Sequence, residues 1–362
     1  MPQNTKPIVY PPVVIAHISK DIKDLYAPKI QNKDLVQIHY SAQLNGHPHM
    51  GTLTSLATAF AAGEYLHQEY NIPQIIKFEA LENAPGDKLE RDGVNYCRML
   101  SDSIKNGKPL SEIYLQSFLE VLNHFSTNTK VPYEIESYRE FQSHLVVRET
   151  LLKILSREEE FAPFIAPSEK RLRVRFPCPE CKFMEKDSLS TKIIQSNDKY
   201  NLTLESNCYN HGPHTINLSP SSQDFVDFNT SIRNVIKEAK FIEDARKANA
   251  FNLMVDGGDW IGMAYQVANS LDLLGYRFKD MPTRLFTPII EDWSGAKFSK
   301  SVYVSAGTYA DIPEEFVNYD ILKSKWGNEG LNKILQEARS WVRDSKKLFR
   351  NYSIEYWQNI FK

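Results

Sequence analysis

The stretch Gln37-Ile-His-Tyr-Ser-Ala-Gln-Leu-Asn-Gly-His-Pro-His-Met-Gly-Thr-Leu53 decides the fold of this chain. Its apolar start, which includes the preceding Leu35 and Val36, is typical of a short buried strand. Asn-Gly and Pro then turn the chain, and apolar residues recur at helical spacing from Leu53 onward. The pattern therefore predicts a strand, a turn and a helix that begins near Gly51.

The beginning of this helix is a candidate phosphate site. Its first backbone N–H groups have no partner within the helix and carry the positive end of the helix dipole. Gly51 allows a ligand to approach the backbone, and His49 can add a donor. Many α/β proteins have such a turn and bind nothing there, so this segment alone does not assign a function.

A second candidate lies far downstream, at Gly295-Ala-Lys-Phe-Ser-Lys-Ser301. Lys297 and Lys300, with the hydroxyls of Ser299 and Ser301, could present two ammonium groups to a polyphosphate. The alternative is an ordinary exposed loop.

Taken together and in this order, the segments at His49–Thr52 and Lys297–Ser301 resemble the HIGH and KMSKS signatures of class I aminoacyl-tRNA synthetases. The first signature follows the first predicted strand and opens a helix, and the second follows the last predicted strand. Thr52 departs from the pattern because the family has a second histidine there. Its hydroxyl can still donate to a phosphate.

Composition limits the classes of function. The chain has 362 residues, is 42% hydrophobic and carries a formal net charge of −2 with a pI near 6.5. These values predict a globular protein and exclude a globally basic nucleic-acid binder. We find no apolar run long enough for a membrane span and no signal peptide, so we expect a cytoplasmic protein.

Three of the four cysteines belong to a predicted zinc ribbon. Cys178-Pro-Glu-Cys181 and Cys208-Tyr-Asn-His211 have the spacing of two metal-binding knuckles, and the reducing compartment argues against disulfides. His214 competes with His211 for the fourth position. We expect structural Zn²⁺ there. Cys97, on a segment read as a helix over 94–106, is expected to be a small buried residue rather than a nucleophile.

Other site residues are predicted at the carboxyl ends of strands, where open α/β sheets bind ligands. Asp256-Gly-Gly-Asp259 follows the fourth predicted strand, so Gly257 and Gly258 would allow close approach and Asp259 would accept from ribose hydroxyls. The candidate substrate residues lie at the ends of the first and second strands. They are Tyr40, Ser41, Gln43 and Glu79.

Within class I, the chain resembles the class I lysyl-tRNA synthetase most closely over roughly residues 35 to 305. The resemblance implies a Rossmann-like parallel sheet of the HUP type with an inserted zinc ribbon and a C-terminal helical segment. It also implies ATP and Mg²⁺, attack of an amino-acid carboxylate on the α-phosphate, and release of pyrophosphate to leave an aminoacyl adenylate. His49, Lys297 and Lys300 would be the catalytic residues, with Gly51 and Thr52 beside the nucleotide.

The expected division is residues 1–166 and 221–305 for the two halves of the catalytic domain, 167–220 for the ribbon and 306–362 for the helical segment. Residues 302–362 are too few for most of the family's anticodon-binding domain, and Trp260 departs from its usual polar residue. Three readings therefore stay open: a compact synthetase that contacts a tRNA acceptor stem, a ligase that passes the amino acid to an amine or carrier, and a non-catalytic nucleotide- or tRNA-binding relative. Arg171, Arg173 and Arg175 could touch RNA, although a solvated strand face is the commoner role.

Overall fold

The computed structural model describes residues 20–198, 200–298 and 312–362, with side chains assigned outside 195–198. Lys300, Ser299 and Ser301 therefore lie outside the described residues.

The centre of the fold is a parallel sheet of five strands. In chain order they are β1 (Leu35–Gln43), β2 (Gln74–Leu81), β7 (Tyr133–Ser137), β14 (Ala250–Gly257) and β15 (Thr283–Thr287). Their order across the sheet is β15-β14-β1-β2-β7, and each neighbouring pair is parallel. This is the Rossmann-like α/β sheet that the sequence predicts. Strands β1, β14 and β15 are buried over most of their length, as in a sheet covered by helices on both faces, whereas the edge strand β7 is partly exposed.

Helices cover both faces of the sheet. The helices of the described residues are α1 (Ile22–Ile30), α2 (Met50–Tyr70), α3 (Leu110–Thr129), α4 (Tyr138–Ser143), α5 (Leu145–Leu155), α6 (Glu158–Ile165), α7 (Thr230–Lys247), α8 (Ile261–Leu273), α9 (Glu314–Val317), α10 (Tyr319–Val342), α11 (Ser345–Leu348) and α12 (Ile354–Phe361). Short 3-10 turns cover Gly258–Trp260 and Phe278–Asp280.

Two apolar cores lie on opposite faces of this sheet. One core joins α2, α3 and the C-terminal helices, and it contains Phe60, Phe125, Trp341 and Trp357. The other joins α4 to α8. Helix α2 begins at the predicted place, with His49 as its N-cap residue.

The antiparallel strands lie outside the central sheet. They are β3 (Pro85–Arg91), β4 (Val94–Met99), β5 (Ile104–Lys105), β6 (Lys108–Pro109), β8 (Val174–Arg175), β9 (Met184–Glu185), β10 (Lys192–Asp198), β11 (Asn201–Cys208), β12 (Gly212–Leu218) and β13 (Asp227–Phe228). A parallel pair, β16 (Ile290–Glu291) and β17 (Tyr352–Ser353), ties the end of the sheet domain to the C-terminal helices.

The helix expected over 94–106 is wrong. This segment forms β4 and β5, and β4 pairs with β3 across a turn at Asp92-Gly93. Both turn residues have positive φ angles of 51° and 77°, as the tight turn of a two-residue hairpin requires. Asn106-Gly107 makes a second such turn between β5 and β6. The two X-Gly pairs set the local structure, and Cys97 consequently lies on a strand.

The predicted ribbon is present as strands β10, β11 and β12, with β9 joined to the hairpin of β3 and β4. Strand β8 pairs with β13, which follows the ribbon in the chain. The domain boundaries themselves stay predictions. Within the described residues, none of the helices has both the length and the apolar character needed to cross a membrane.

Candidate active site

The candidate site lies at the carboxyl edge of the sheet, where the strand order reverses. Strand β1 has β14 on one side and β2 on the other, and the chain leaves β1 and β14 toward opposite faces. The end of β1 leads into α2, and the end of β14 leads through Gly258–Trp260 into α8. A crevice at such a reversal is the usual ligand site of open α/β sheets.

His49 caps the first of these helices with its own ring. The backbone N–H of Gly51 donates to His49 Nδ1 at 3.1 Å, which satisfies one of the N-terminal amides of α2. Nδ1 must be unprotonated to accept this bond, so Nε2 carries the proton of the neutral ring. A Cβ on residue 51 would lie 3.0 Å from His49 Cε1, so glycine leaves the most room for the ring. Thr52 is half-buried in the same first turn.

The signature loop is anchored against this ring. Phe298 is fully buried, and its ring meets the His49 ring edge-on with 5.9 Å between centroids. The Phe298 N–H donates to the Ile290 carbonyl at 2.8 Å. Asp292 shapes the preceding turn, because its Oδ1 accepts from the N–H of Ser294 at 2.8 Å and of Ala296 at 3.1 Å. The two signatures are therefore in contact at Phe298.

Lys297 and Asp259 close the other side of the crevice. They form an ion pair between the signature loop and the turn after β14, and their side chains are 49% and 29% exposed. A Cβ on Gly257 would lie 2.6 Å from Asp259 Oδ1, so a larger residue there would displace the Asp259 carboxylate. A Cβ on Gly258 would make only ordinary contacts. An exposed pair of this kind contributes about 0–1 kcal/mol, so a ligand can displace it at little cost.

The predicted substrate residues divide between the two faces of the sheet. Ser41 and Glu79 are register partners, and Ser41 Oγ donates to Glu79 Oε2 at 2.5 Å. Tyr40 points to the opposite side, where burial raises the pKa of its hydroxyl and its ring packs on Phe78. Gln43 is exposed at the end of β1. The structure therefore brings Ser41 and Glu79 together and separates them from Tyr40.

A buried lysine that sequence reasoning missed completes the Ser41 cluster. Lys237 on α7 is 4% exposed, and its Nζ donates to Ser41 Oγ at 2.6 Å. Burial lowers the pKa of Lys237, whereas the charge of Glu79 opposes that shift. His39 lies beside Glu79, with 3.4 Å between its Nδ1 and the carboxylate, and burial lowers the pKa of the imidazole. The available signal was a pair of charged residues, Arg233 and Lys237, within an apolar helix pattern.

The four predicted zinc ligands converge. The ligand atoms of Cys178, Cys181, Cys208 and His211 all lie within 4.8 Å of one another. His211 Nδ1 is 3.4 Å from Cys178 Sγ and 3.6 Å from Cys208 Sγ, and the Sγ atoms of Cys181 and Cys208 are 3.5 Å apart. Tetrahedral zinc with ligand bonds of ~2.0–2.3 Å separates its ligands by ~3.5–3.8 Å, so the donor set fits.

His214 does not belong to this cluster. Its ring packs edge-on against Phe176 with 5.1 Å between centroids, and it is absent from the group of converging ligand atoms in the described chain. The structure thus favours His211 over His214 for the fourth position.

The three arginines near the ribbon are engaged inside the protein. Arg175 pairs with buried Asp227 at 2.6 Å, and Arg173 pairs with Glu169 at 2.5 Å. Arg171 donates to backbone carbonyls, including that of Leu189 at 3.0 Å. In the described structure their guanidinium groups are thus paired within the protein.

Comparison with known proteins finds solved structures whose fold is similar to that of this chain. No protein-family model and no curated protein sequence matches this chain. Solved structures similar to it include a Campylobacter jejuni protein described as an arginyl-tRNA synthetase, with 9% identity and a TM-score of 0.43 over 91% of this chain and 67% of that one.

Two solved structures described as a glutamate–tRNA ligase and a glutamate–tRNA synthetase are similar to a smaller share of this chain. A glutamate–tRNA ligase from Elizabethkingia meningosepticum, in complex with its amino acid, has 12% identity and a TM-score of 0.31 over 75% of this chain and 53% of that one. The glutamate–tRNA synthetase of Elizabethkingia anophelis has 13% identity and a TM-score of 0.30, with 75% and 54% covered. This chain spans about half the length of each, and the likeness concerns the fold alone.

Proposed function

We propose that this protein is an adenylate-forming ligase that uses ATP to activate the carboxylate of an amino acid and releases pyrophosphate. The observation that supports this most is the contact between the two signature segments, with His49 on Phe298 and Lys297 on Asp259 across the switch point. A helix N-terminus, a capping imidazole and a lysine meet around one crevice. This is the set of donors that a triphosphate requires.

Each group has a chemical task in the proposed reaction. The amino-acid carboxylate attacks the α-phosphate, the bond to the bridging oxygen breaks, and negative charge grows on the departing pyrophosphate. The N-terminus of α2 with His49 and Thr52 would orient the phosphates, while Lys297 and Lys300 would stabilise the growing charge. Mg²⁺ would neutralise part of the triphosphate charge when bound.

Nucleotide binding would exchange one ion pair for others. Lys297 now contacts Asp259, and in the proposed complex Lys297 turns to phosphate while Asp259 accepts from the ribose hydroxyls. Gly257 and Gly258 would let the nucleotide approach the backbone. Because the present pair is exposed, breaking it costs little compared with a new bond to a phosphate.

The amino acid and its acceptor are the open parts of this proposal. The resemblance suggests lysine, and Glu79 with Tyr40, Ser41 and Gln43 are the proposed substrate residues. The acceptor would be the end of a tRNA, a small amine or a carrier. The engaged arginines give no support to a broad RNA surface, so we give tRNA-independent transfer equal standing. Zn²⁺ at the ribbon would be structural, because four protein ligands leave no open position. A cytoplasmic location remains the expectation from the sequence.

The test is ATP–pyrophosphate exchange with each standard amino acid, with and without total tRNA. We expect exchange with one amino acid, and Lys300→Ala should reduce its rate about a hundredfold or more without changing the melting temperature. Lys279→Ala, on the short turn Phe278–Asp280, is a surface control. Near-normal exchange in Lys300→Ala would remove that lysine from the mechanism. Silence with every amino acid, combined with measurable ATP binding, would favour the non-catalytic reading.

A further inference from the structure

Side chains of two helices hold the turn that precedes His49. His47 Nδ1 lies 2.8 Å from Ser117 Oγ on α3 and 3.2 Å from Asp320 Oδ2 in the first turn of α10. Ser117 is buried, and its hydroxyl donates to Asp320 Oδ1 at 3.0 Å. We call His47, Ser117 and Asp320 the turn clamp. It joins the turn between β1 and α2 to two helices that lie far away in the sequence.

The hydrogen bonds of the turn clamp determine where the proton of His47 lies. The Ser117 hydroxyl has one hydrogen, and Asp320 accepts it. Nδ1 of His47 therefore faces two oxygen atoms that can only accept from it, so Nδ1 carries a proton. His49 has the opposite arrangement, because its Nδ1 accepts from the Gly51 N–H. The two histidines of the turn thus differ in what their Nδ1 atoms do.

The turn clamp contains the three residue types of a serine hydrolase but not their arrangement. In a serine hydrolase, the serine and the aspartate contact different nitrogens of the imidazole. Here Ser117 and Asp320 both lie at Nδ1, and the hydroxyl donates to the carboxylate instead of to the imidazole. This geometry suits the holding of a turn rather than the activation of a nucleophile.

Two further contacts hold the same turn. The backbone N–H of Tyr319, the first residue of α10, donates to the Pro48 carbonyl at 3.0 Å. The ring of His47 meets that of Tyr114 on α3 edge-on, with 5.4 Å between centroids. His49 directly follows Pro48 and caps α2, so a shift of the turn would also shift the capping ring and the first N–H groups of that helix.

We propose that His47 is a positioning residue of the active site and that it acts through Ser117 and Asp320. Helix α10 is then a functional part of that site, although neither signature segment includes any of these residues. The catalytic consequence rests on the proposed function, in which His49 and the N-terminus of α2 orient the triphosphate. A misplacement of about 1 Å in such groups is enough to lower a rate about a hundredfold.

The first test compares two replacements of His47 in the full chain. His47→Ala removes the donor, whereas His47→Asn keeps an N–H group close to the place of Nδ1. We expect His47→Ala to lower the kcat of ATP–pyrophosphate exchange about ten- to a hundredfold and to change the KM for ATP less than about threefold. His47→Asn should recover most of the rate. Asp320→Ala should also lower kcat, and the loss in the double variant should be smaller than the product of the two single losses.

His124 provides the matched control, because it joins the same two helices away from the turn. Its Nε2 lies 3.0 Å from Asn332 Oδ1 on α10. We expect His124→Ala and His47→Ala to lower the melting temperature to a similar extent, and His124→Ala to keep the wild-type kcat. An equal loss of kcat in both variants, or no recovery in His47→Asn, would overturn the positioning role of His47.

Hydrogen–deuterium exchange of the ligand-free chain separates a failure of this inference from a failure of the proposed function. We expect the amides of residues 45–52 to exchange faster in His47→Ala than in the wild type, His47→Asn and His124→Ala. A wild type that shows no ATP–pyrophosphate exchange would refute the proposed function. Faster hydrogen exchange over 45–52 in His47→Ala would still support the turn clamp in that case, and unchanged hydrogen exchange would overturn it.

Discussion

Gly51 lies in close contact with the ring of His49. A Cβ on residue 51 would lie 3.0 Å from Cε1, so the ring would shift slightly and the bond from the Gly51 N–H to Nδ1 would weaken. We expect Gly51→Ala to cost about 1 kcal/mol of stability, the usual value of an N-cap bond, and to slow ATP–pyrophosphate exchange at least about tenfold. Thermal unfolding and exchange assays check both effects.

Gly262 provides the matched control for this prediction. It lies in the first turn of α8, and a Cβ there meets nothing within 4 Å. Gly262→Ala should leave exchange unchanged and raise stability by about 0.5–1 kcal/mol, because alanine is the better helix former. Equal loss of exchange in both variants would show that the contact between Gly51 and His49 is not the cause.

His39 should make stability depend on pH. Burial against Phe241 lowers the pKa of its imidazole in the folded state, and the nearby charges of Lys237 and Lys240 act in the same direction against the opposing effect of Glu79. Below the unfolded pKa of about 6.5, the unfolded chain binds a proton that folded His39 does not. Stability should therefore fall as the pH drops from 6.5, by up to about 1.4 kcal/mol per pH unit from this residue.

His39→Gln should flatten that dependence, measured as melting temperature between pH 7 and pH 5. His67→Gln, at an exposed histidine near the end of α2, is the control and should keep the wild-type slope. A wild-type slope in His39→Gln would mean that His39 is protonated in the folded protein as readily as in the unfolded one.

The sequence predicts where a residue lies when backbone geometry restricts the choice, and it does not predict which charged residues are buried. The positions of His49, Gly51 and Asp259 follow from strand ends and turns, which leave a pattern in the sequence. The burial of Lys237 and Arg233 depends on which face of α7 meets the sheet. A lysine or arginine in a helix is ordinarily exposed, so two charged residues within the apolar pattern of α7 are only a weak signal of burial.

Among the elements, the zinc ribbon allows the sharpest test. The sequence could not choose between His211 and His214, because both follow Cys208 at an acceptable spacing. The strand register separates the two histidines. Strands β11 and β12 turn at His211, beside the cysteines, whereas His214 packs on Phe176. We expect His211→Ala to lose bound zinc and lower the melting temperature, and His214→Ala to keep one zinc per chain.

The prediction is tested by measuring metal content with atomic spectroscopy. Melting temperature alone does not separate the two variants, because both lose packing contacts. Cys97→Ser serves as the cysteine control, because Cys97 is buried on β4 and lies outside the converging group. Zinc retained in His211→Ala and lost in His214→Ala would reverse the assignment.

The hairpins at Asp92-Gly93 and Asn106-Gly107 show why one element was mispredicted. The apolar residues over 94–106 favour a helix, but periodicity over so short a run fits a strand as well, and the two glycine turns decide for strands. The strands of the central sheet were predictable, because parallel buried strands are long apolar runs with distinct ends. The pairing of β4 with β9, far apart in the sequence, had no local signal.

At the scale of the whole molecule, the central sheet is shared by two cores, and the C-terminal helices belong to the first. Trp341, Trp357 and Phe361 join Phe60 in one apolar cluster, so the C-terminal helices pack on the same core as α2. Phe161 lies in the other cluster. The first core contains residues of β1, β2 and β14, and the second core reaches the same sheet through Leu81 of β2 and Phe286 of β15, so the loss of either core exposes apolar surface of the sheet.

We therefore expect one cooperative unfolding transition that responds to both cores. Trp357→Ala and Phe161→Ala should each destabilise the protein by about 3–5 kcal/mol, since both side chains are fully buried, and each should shift the whole transition without splitting it. Near-ultraviolet circular dichroism, tryptophan fluorescence and calorimetry of the full chain, with zinc held constant, follow different parts of the molecule. Coincident curves in both variants would identify one folding unit. A Trp357→Ala transition that splits, with an early step seen only by tryptophan fluorescence, would mean that the C-terminal helices unfold independently of the sheet.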